Sequence, residues 1–415
     1  MADHIIIWTI AILSTAGVII RPYNLPEAIW VVAGSLLLLL MHLLLPSEIL
    51  TAINKGTDVY LFLAGMMLLA EIAREEKLFD WFAAHATKHA KGSGGRLFFL
   101  MYAVGIVVTA FLSNDATAVV LTPAVAAAVK SARVEKPLPY LFICAFIANA
   151  ASFILPISNP ANLVIYGSSM PHLLQWISIY FLPSFFAIVV TYILLYWTQR
   201  KHLKSKIQSD IIIPELSKGG KITGIGIIAT AIALMISSAF GIQLGLPTAI
   251  SGVCIAALVL IVDGKKPWSL LKEIPWSILP LVAGLFIIVE ALNKTGFINL
   301  LSIALKNSAT KSVTAAAWAS GTTIAFASNL ANNLPSGLVA GNVIQTANVP
   351  EIVKNFILVG VDLGPNLSVT GSLATILWLV ALRREGENVN AITFLKLGII
   401  IMIPALFAAF VGLLL

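Results

Sequence analysis

Charge is what this chain has least of. Asp, Glu, Lys and Arg make up 11% of 415 residues, apolar types supply 59%, and the mean hydropathy is +0.95, whereas a soluble globular chain carries about a quarter charged residues. A water-soluble fold is excluded. Cysteine is scarce as well: Cys144 and Cys254 both lie inside apolar runs, which excludes a disulfide framework or paired metal-ligand spacing and leaves two buried, inert thiols as the expectation. No nucleotide-binding motif occurs, so any use of ATP would come from a separate subunit, and no cofactor is implied. No small-residue cleavage site follows the opening apolar run, which reads as a retained helix. The net charge of +7 is read as loops held on the cytoplasmic side of a membrane rather than as a nucleic-acid footprint.

What the chain does have is long charge-free stretches. Residues 5–20, 29–45 and 222–240 each approach the ~20 residues that cross ~30 Å of hydrocarbon. Such runs recur from end to end, so no separate soluble domain is expected.

The chain also contains itself twice. Asn24-Leu25-Pro26 returns as Gly245-Leu246-Pro247, Ala64-Gly65 with Glu71 returns as Ala283-Gly284 with Glu290, and Asn114-Asp115 aligns with Asn332-Asn333, at offsets of 221, 219 and 218. Each half reads as five crossings plus one hairpin, with first-half spans near 4–20, 27–45, 58–73, 138–167 (broken) and 174–197. Five is odd, so the second half must be inverted. The expected domains are 1–199 with a hairpin at 97–131, a polar linker at 200–221, and 222–415 with a hairpin at 312–347. Every Lys and Arg except Lys55, Lys294, Lys306, Lys311 and Lys354 then falls on the linker's side, which places the linker in the cytoplasm and both termini outside. The expected fold is an all-α polytopic inner-membrane protein with two inverted repeats, about ten spans, two re-entrant hairpins and two broken helices. Secondary transporters of this plan bind solute at the repeat interface near the midplane.

Four polar interruptions fall inside the apolar runs, paired by the repeat. Two are hairpin tips around Ser113, Asn114 and Asp115 and around Asn329, Asn332 and Asn333; two are broken helices around Asn159 and Asn162 and around Asp362, Asn366 and Ser368. Unpaired backbone at membrane depth is tolerated only where it is buried in protein or lines a wet cavity. Amides and hydroxyls offer donors and acceptors, so the four point to one central site for a small solute rich in hydroxyls or carboxylates. A single Asn there could equally be helix glue; four symmetric clusters favour a site. Arg and Lys are absent from all four, which argues against a fixed counter-ion for a dianion. Carboxylates within spans usually serve function, and four qualify as proton carriers. Asp115 ranks first because its counterpart in the second half is neutral. Asp362 reads rather as a cap, and Glu71 and Glu290 as interfacial carboxylates. His85 and His89 are four apart, but Lys88 beside them and the lack of an HExxH pattern favour a solvated face, and no histidine is given a role.

At these segments the chain resembles the arsenical pump membrane proteins of the ion transporter superfamily, which also holds dicarboxylate symporters and some sodium/proton antiporters. Residues 113–123 (SNDATAVVLTP) resemble the first hairpin signature, 157–163 (ISNPANL) the first broken helix, 332–339 (NNLPSGLV) the second hairpin, and 363–378 (LGPNLSVTGSLATILW), most specifically, the second broken helix. The likeness spans nearly the whole chain. It implies a solute of trivalent arsenic or antimony, carried as the neutral trihydroxide and expelled in exchange for protons, with Asn114, Asp115, Asn159, Asn162, Asn332, Asn333 and Asn366 around it. It also implies that a cytoplasmic ATPase subunit can dock on some members. Two features depart from relatives: the Ser-Asn-Thr tips of dicarboxylate carriers are absent, and Asn366 stands where many arsenite pumps carry Lys. Capture through sulfur would need three thiolates, which two cysteines cannot supply. The alternatives are a sodium/proton antiporter using the same Asp115 and, distantly, an intramembrane aspartyl protease built on Asp115 and Asp362.

Overall fold

The computed structural model describes residues 2–208, 211 and 213–415. All its elements are helical. The first half runs through α1 (Ala2–Ile20), α2 (Glu27–Leu40) and a pair bent by 50°, α3 (Pro46–Lys55) and α4 (Thr57–Glu75). A short α5 (Leu78–His89) leads to α6 (Gly94–Leu112); the chain turns at Ser113 and returns through α7 (Asn114–Ala116), a π-turn (Thr117–Leu121) and α8 (Thr122–Ser131). Next, α9 (Leu138–Ala150) stops, a 3-10 turn (Pro156–Ser158) and α10 (Pro160–Tyr166) carry the chain on, and α11 (Leu173–Gln199) completes the half.

The same order of elements returns: α12 (Lys218–Ala239), α13 (Gly245–Asp263), a pair bent by 42°, α14 (Pro267–Glu273) and α15 (Ile278–Lys294), then α16 (Phe297–Lys311). The second hairpin is α17 (Val313–Ala331) and α18 (Asn333–Ala347). Then α19 (Glu351–Leu363) ends in a 3-10 turn (Gly364–Leu367), followed by α20 (Leu373–Arg384) and α21 (Ala391–Gly412).

Among the described residues six helices are long and apolar enough to cross a membrane, or eight if each bent pair is one span. One of the six is α6, which had been expected as a hairpin arm. α6 and α8 both pack against α5, just as α17 and α18 both pack against α16. The expected ten crossings require α2, α9 and α19, of 14, 13 and 13 residues, each too short to span alone at 1.5 Å per residue. In α9 and α19 the shortfall is the break itself. Proline defines both breaks, because Pro156, Pro160 and Pro365 have no N–H to continue a helical ladder.

The halves interlock. α4 packs against α13 and α15 against α2, and glycine sets both crossings: a Cβ on Gly65 would lie 2.3 Å from the Thr248 carbonyl oxygen, and one on Gly284 2.6 Å from Val31. This explains why Gly65 and Gly284 recur at the same place in each half. Apolar side chains such as Ile12, Ile228 and Ile261 are exposed on the outside, as a lipid-facing surface requires. Cys144 is buried as expected, but Cys254 is exposed on that outer surface, a correction with a simple cause: an apolar run in a membrane chain has a lipid face.

Candidate functional site

The hairpin tips are built by two residues with positive φ, Ser113 (111°) and Asn332 (72°). A side chain there costs of order 1–3 kcal/mol and persists only where the surroundings enforce it. Each then caps the arm that follows: Ser113 Oγ accepts from the Ala116 N–H at 3.5 Å and Asn332 Oδ1 from the Leu334 N–H at 3.3 Å. The tips lie 219 positions apart, like Gly65 and Gly284, so the expected pairing of Asn114-Asp115 with Asn332-Asn333 shifts by one. Asn114 matches Asn333, and Asp115 matches the apolar Leu334. Behind the first tip, Pro123 lacks the N–H that would close an α-turn, and the chain runs as a π-turn there, a form frequent at functional sites.

The four interruptions do come together, and they do so crosswise. α10, after the first break, packs against α18 of the second hairpin, and α20, after the second break, packs against α7, the π-turn and α8 of the first. Trp378 of α20 donates to the Leu141 carbonyl of α9 at 2.9 Å and stacks on Phe142, which fixes that contact.

Between the breaks lies a buried amide network. Asn159 Nδ2 donates to Asp362 Oδ1 at 2.9 Å while its own Oδ1 caps α10 by accepting from Ala161 N at 3.0 Å. Asn366 Nδ2 donates to the Phe146 carbonyl at 2.9 Å, and its Oδ1 accepts from Asn149 Nδ2 at 3.0 Å. Asn162 Nδ2 donates to the carbonyls of Ser152 (3.0 Å) and Pro156 (3.3 Å), which the break leaves free. Asn149 was missed in the sequence because it precedes the first proline of the break. Its signal was positional: Asn149 and Asp362 are each the penultimate residue of a 13-residue helix, and each reaches across to the break of the other half. Asp362, expected to cap a turn, instead bonds Asn159, and among the described residues it forms no ion pair. Three acceptors of this network, Asn149 Oδ1, Asn162 Oδ1 and Asp362 Oδ2, are buried without a hydrogen-bond partner, and buried acceptors of this kind call for a donor.

The second tip closes on its own break. Asn329 Nδ2 donates to the Ala325 and Gly364 carbonyls (2.8 and 3.0 Å), Ser368 Oγ donates to Asn329 Oδ1 at 2.8 Å, Thr370 Oγ1 donates to the Asn329 carbonyl at 2.9 Å, and Asn333 N donates to the Gly371 carbonyl at 2.8 Å.

The first tip instead opens on a cavity of about 370 Å³. Ser113, Asp115 and Pro160 line its inner part; Phe62, Met66 and Met67 of α4 form an apolar wall; and Glu71, Arg74, Glu273, Arg384 and Glu385 line it at the ends of α4, α14 and α20. Glu273, Arg384 and Glu385 are solvent-exposed, which marks the mouth. Arg74 is committed: its Nε donates to both Glu71 oxygens at 3.0 and 3.1 Å, and its Nη2 reaches Glu71 and, at 3.7 Å, Glu273. Arg384 forms no ion pair among the described residues. The guanidinium groups of the mouth lie outside the four polar interruptions, so no local pattern in the sequence points to them.

The expected carboxylates therefore separate. Asp115 and Glu71 share the cavity. Asp362 is buried in the amide network and does not line it, so the two aspartates do not face one another as a protease pair would. Glu290 is elsewhere, 2.7 Å from Lys55 of α3.

A crossed pair of hairpins and broken helices around a cavity and a buried amide cluster defines a polytopic membrane transporter. The chain belongs to the citrate transporter family, CitMHS, whose sequence model matches residues 6–361, and within the ion transporter superfamily it stands with the arsenical pump membrane proteins. It is similar to the arsenical pump membrane protein of Escherichia coli K12, 27% identical over 97% of both chains, and to a putative arsenical pump membrane protein of Bacillus subtilis, 25% identical over 92% of both. Its fold resembles that of the YdaH transporter of Alcanivorax borkumensis, with a TM-score of 0.61 and 14% identity over 88% of this chain and 86% of that one. With its apolar helices and bacterial relatives it is a multi-pass inner-membrane protein and a transporter rather than an enzyme. These likenesses do not favour the sodium/proton antiporter.

Proposed function

We propose that this chain exports arsenite and antimonite, as neutral trihydroxides, from the cytoplasm in exchange for protons by alternating access between two inverted repeats. The observation that carries this reading is the cavity that runs from an exposed, charged mouth to the first hairpin tip. Its inner wall offers a hydroxyl at Ser113 and a carboxyl at Asp115 but no fixed cation. A neutral solute bearing three hydroxyls can donate to Asp115 in the cavity and, once the path opens beyond it, to the unpartnered acceptors of the amide network, Asn149, Asn162 and Asp362, without stranding a charge. Ser113, Asn114, Asn159, Asn162, Asn366 and, when the second tip opens, Asn329, Asn332, Asn333 and Ser368 form its path. Asp115 carries the coupling proton and Asp362 is the second carboxyl available for one. Glu71 positions Arg74 at the mouth, and Glu290 is an outer ion-pair partner rather than a carrier.

The cavity mouth adjoins the linker, because Glu76 at the end of α4 bonds Ser217. The positive-inside pattern puts that side in the cytoplasm and the termini outside, so the cavity faces inward, as an exporter awaiting cargo would. A cytoplasmic ATPase subunit has this same face to dock on.

Arsenite uptake into everted membrane vesicles with an imposed pH gradient tests the reading. Uptake that requires the gradient and collapses with an uncoupler supports it; uptake indifferent to the gradient removes proton exchange. One observation favours a second reading, a carboxylate solute: the chain's family is that of the citrate transporters, and Arg384, which lines the mouth, forms no ion pair among the described residues. Citrate counterflow in the same vesicles, lost in Arg384→Gln, would establish it.

A further inference from the structure

His85 is half-buried and His89 is exposed. With Phe82 of α5 and Leu100, Val104 and Val107 of α6 they line an apolar groove of about 290 Å³ on the outer surface, where Phe99 and Val107 are exposed on a helix long and apolar enough to span the membrane. A groove of this kind on a lipid-facing helix meets acyl chains. Its loop end is different. The C-terminus of α5 and the N-terminus of α6 carry Lys88, Lys91 and Arg96, all exposed and none in an ion pair among the described residues. The linker adds Lys206, whose residue bridges to Ser93 in the same loop. The histidines continue the polar end into the groove: His85 Nδ1 lies 3.0 Å from the Trp81 carbonyl and His89 Nδ1 2.8 Å from the His85 carbonyl. A carbonyl can only accept, so each Nδ1 carries the hydrogen and each Nε2 is left free for an outside partner.

We propose that the groove between α5 and α6 holds an acidic phospholipid, one acyl chain lying along Phe82, Leu100, Val104 and Val107 and the phosphate held by Lys88, Lys91 and Arg96. Charge complementarity selects this occupant. A zwitterionic lipid offers the same chain but brings its own cation to a corner already holding four, whereas a net anionic headgroup is attracted by each Lys or Arg near the surface. The site lies apart from the solute path, so the inference stands whichever solute is carried.

The test is native mass spectrometry of the full chain in detergent, titrated with dioleoylphosphatidylglycerol or dioleoylphosphatidylcholine. Wild type should retain the anionic lipid at least about tenfold better, given the per-cation gain. Lys88→Gln, Lys91→Gln and Arg96→Gln together should bring the ratio close to one. Val104→Trp, which fills the groove and leaves the cations in place, should lower retention of the anionic lipid. Equal retention of the two lipids by wild type, meaning ordinary annular lipid, would overturn the proposal. So would a triple variant that keeps the full preference, and because its substitutions are exposed, that variant decides the matter even if Val104→Trp fails to fold.

Discussion

Asp362 and Asn159 show how much a single pair of side chains can carry. Asp362 Oδ1 receives one neutral amide hydrogen from Asn159 and Oδ2 receives none, so the carboxyl has no cation to balance it. Asn159→Ala removes that donor and uncaps α10 together. We expect a loss of stability of about 1–3 kcal/mol, the cost of leaving a buried acceptor unsatisfied, and a larger loss of transport, measured by thermal denaturation and vesicle uptake of the same preparation. Asn149→Ala, which frees Asn366 Oδ1, should behave similarly, because Asn149 donates across to the other half's break as Asn159 does. Outside the membrane, Glu76 is governed by a contest: burial raises its carboxyl, but the Lys265 ammonium at 2.5 Å and the Ser217 hydroxyl outweigh it and hold the group below the ordinary glutamate value of 4.5. A depressed carboxyl stabilises the fold above its unfolded value and loses that contribution as pH falls through its folded one. Glu76→Gln should therefore lower Tm at pH 7, and the gap to wild type should shrink as the buffer is taken below pH 4.5.

At the scale of elements, the close crossings of α4 on α13 and α15 on α2 are set by Gly65 and Gly284. Gly65→Ala would bring a methyl against the backbone of Thr248, which has no side-chain freedom with which to yield, so we expect overpacking of about 1–3 kcal/mol, read as a lowered Tm. The same substitution at half-buried Gly224, Gly224→Ala, has its nearest contact at 3.8 Å and should be silent. The repeat was legible in sequence because it is written in such residues: the two glycines recur at one interval. The hairpins were legible within a few residues for the same reason, since Ser113 and Asn332 interrupt long apolar arms. The helices α3, α5, α14 and α16 escaped notice because they are short and amphipathic, and no run of apolar residues announces them. Asn149 escaped because a lone amide inside an apolar helix has no local signature; only its crosswise partner gives it meaning. The tip register was misjudged by one residue because an amide can be matched with an amide in either alignment, whereas positive φ singles out one position.

Across the whole molecule, ion pairs tie the halves at both ends. Lys55 to Glu290 (2.7 Å) and Lys294 to Glu48 (2.9 Å) join α3 to α15, and Arg74 with Glu273 joins α4 to α14 at the cavity mouth. Exposed pairs are each worth about 0–1 kcal/mol, so their loss should hardly change Tm but should change how readily the halves move. We expect Glu273→Gln to leave stability intact and alter the rate of solute exchange across vesicles. The breaks and tips gather only when both halves are in place, which is why their grouping could be inferred from sequence but not drawn.

The most direct measurement compares wild type with Asp115→Asn in everted vesicles loaded with arsenite, following both gradient-driven uptake and solute exchange at equal pH. If Asp115 is the proton carrier at the inner end of the cavity, the variant folds, exchanges arsenite and no longer accumulates it against a gradient. A variant that still accumulates arsenite under the pH gradient as wild type does would contradict the assignment, and the coupling proton would have to be sought on Asp362.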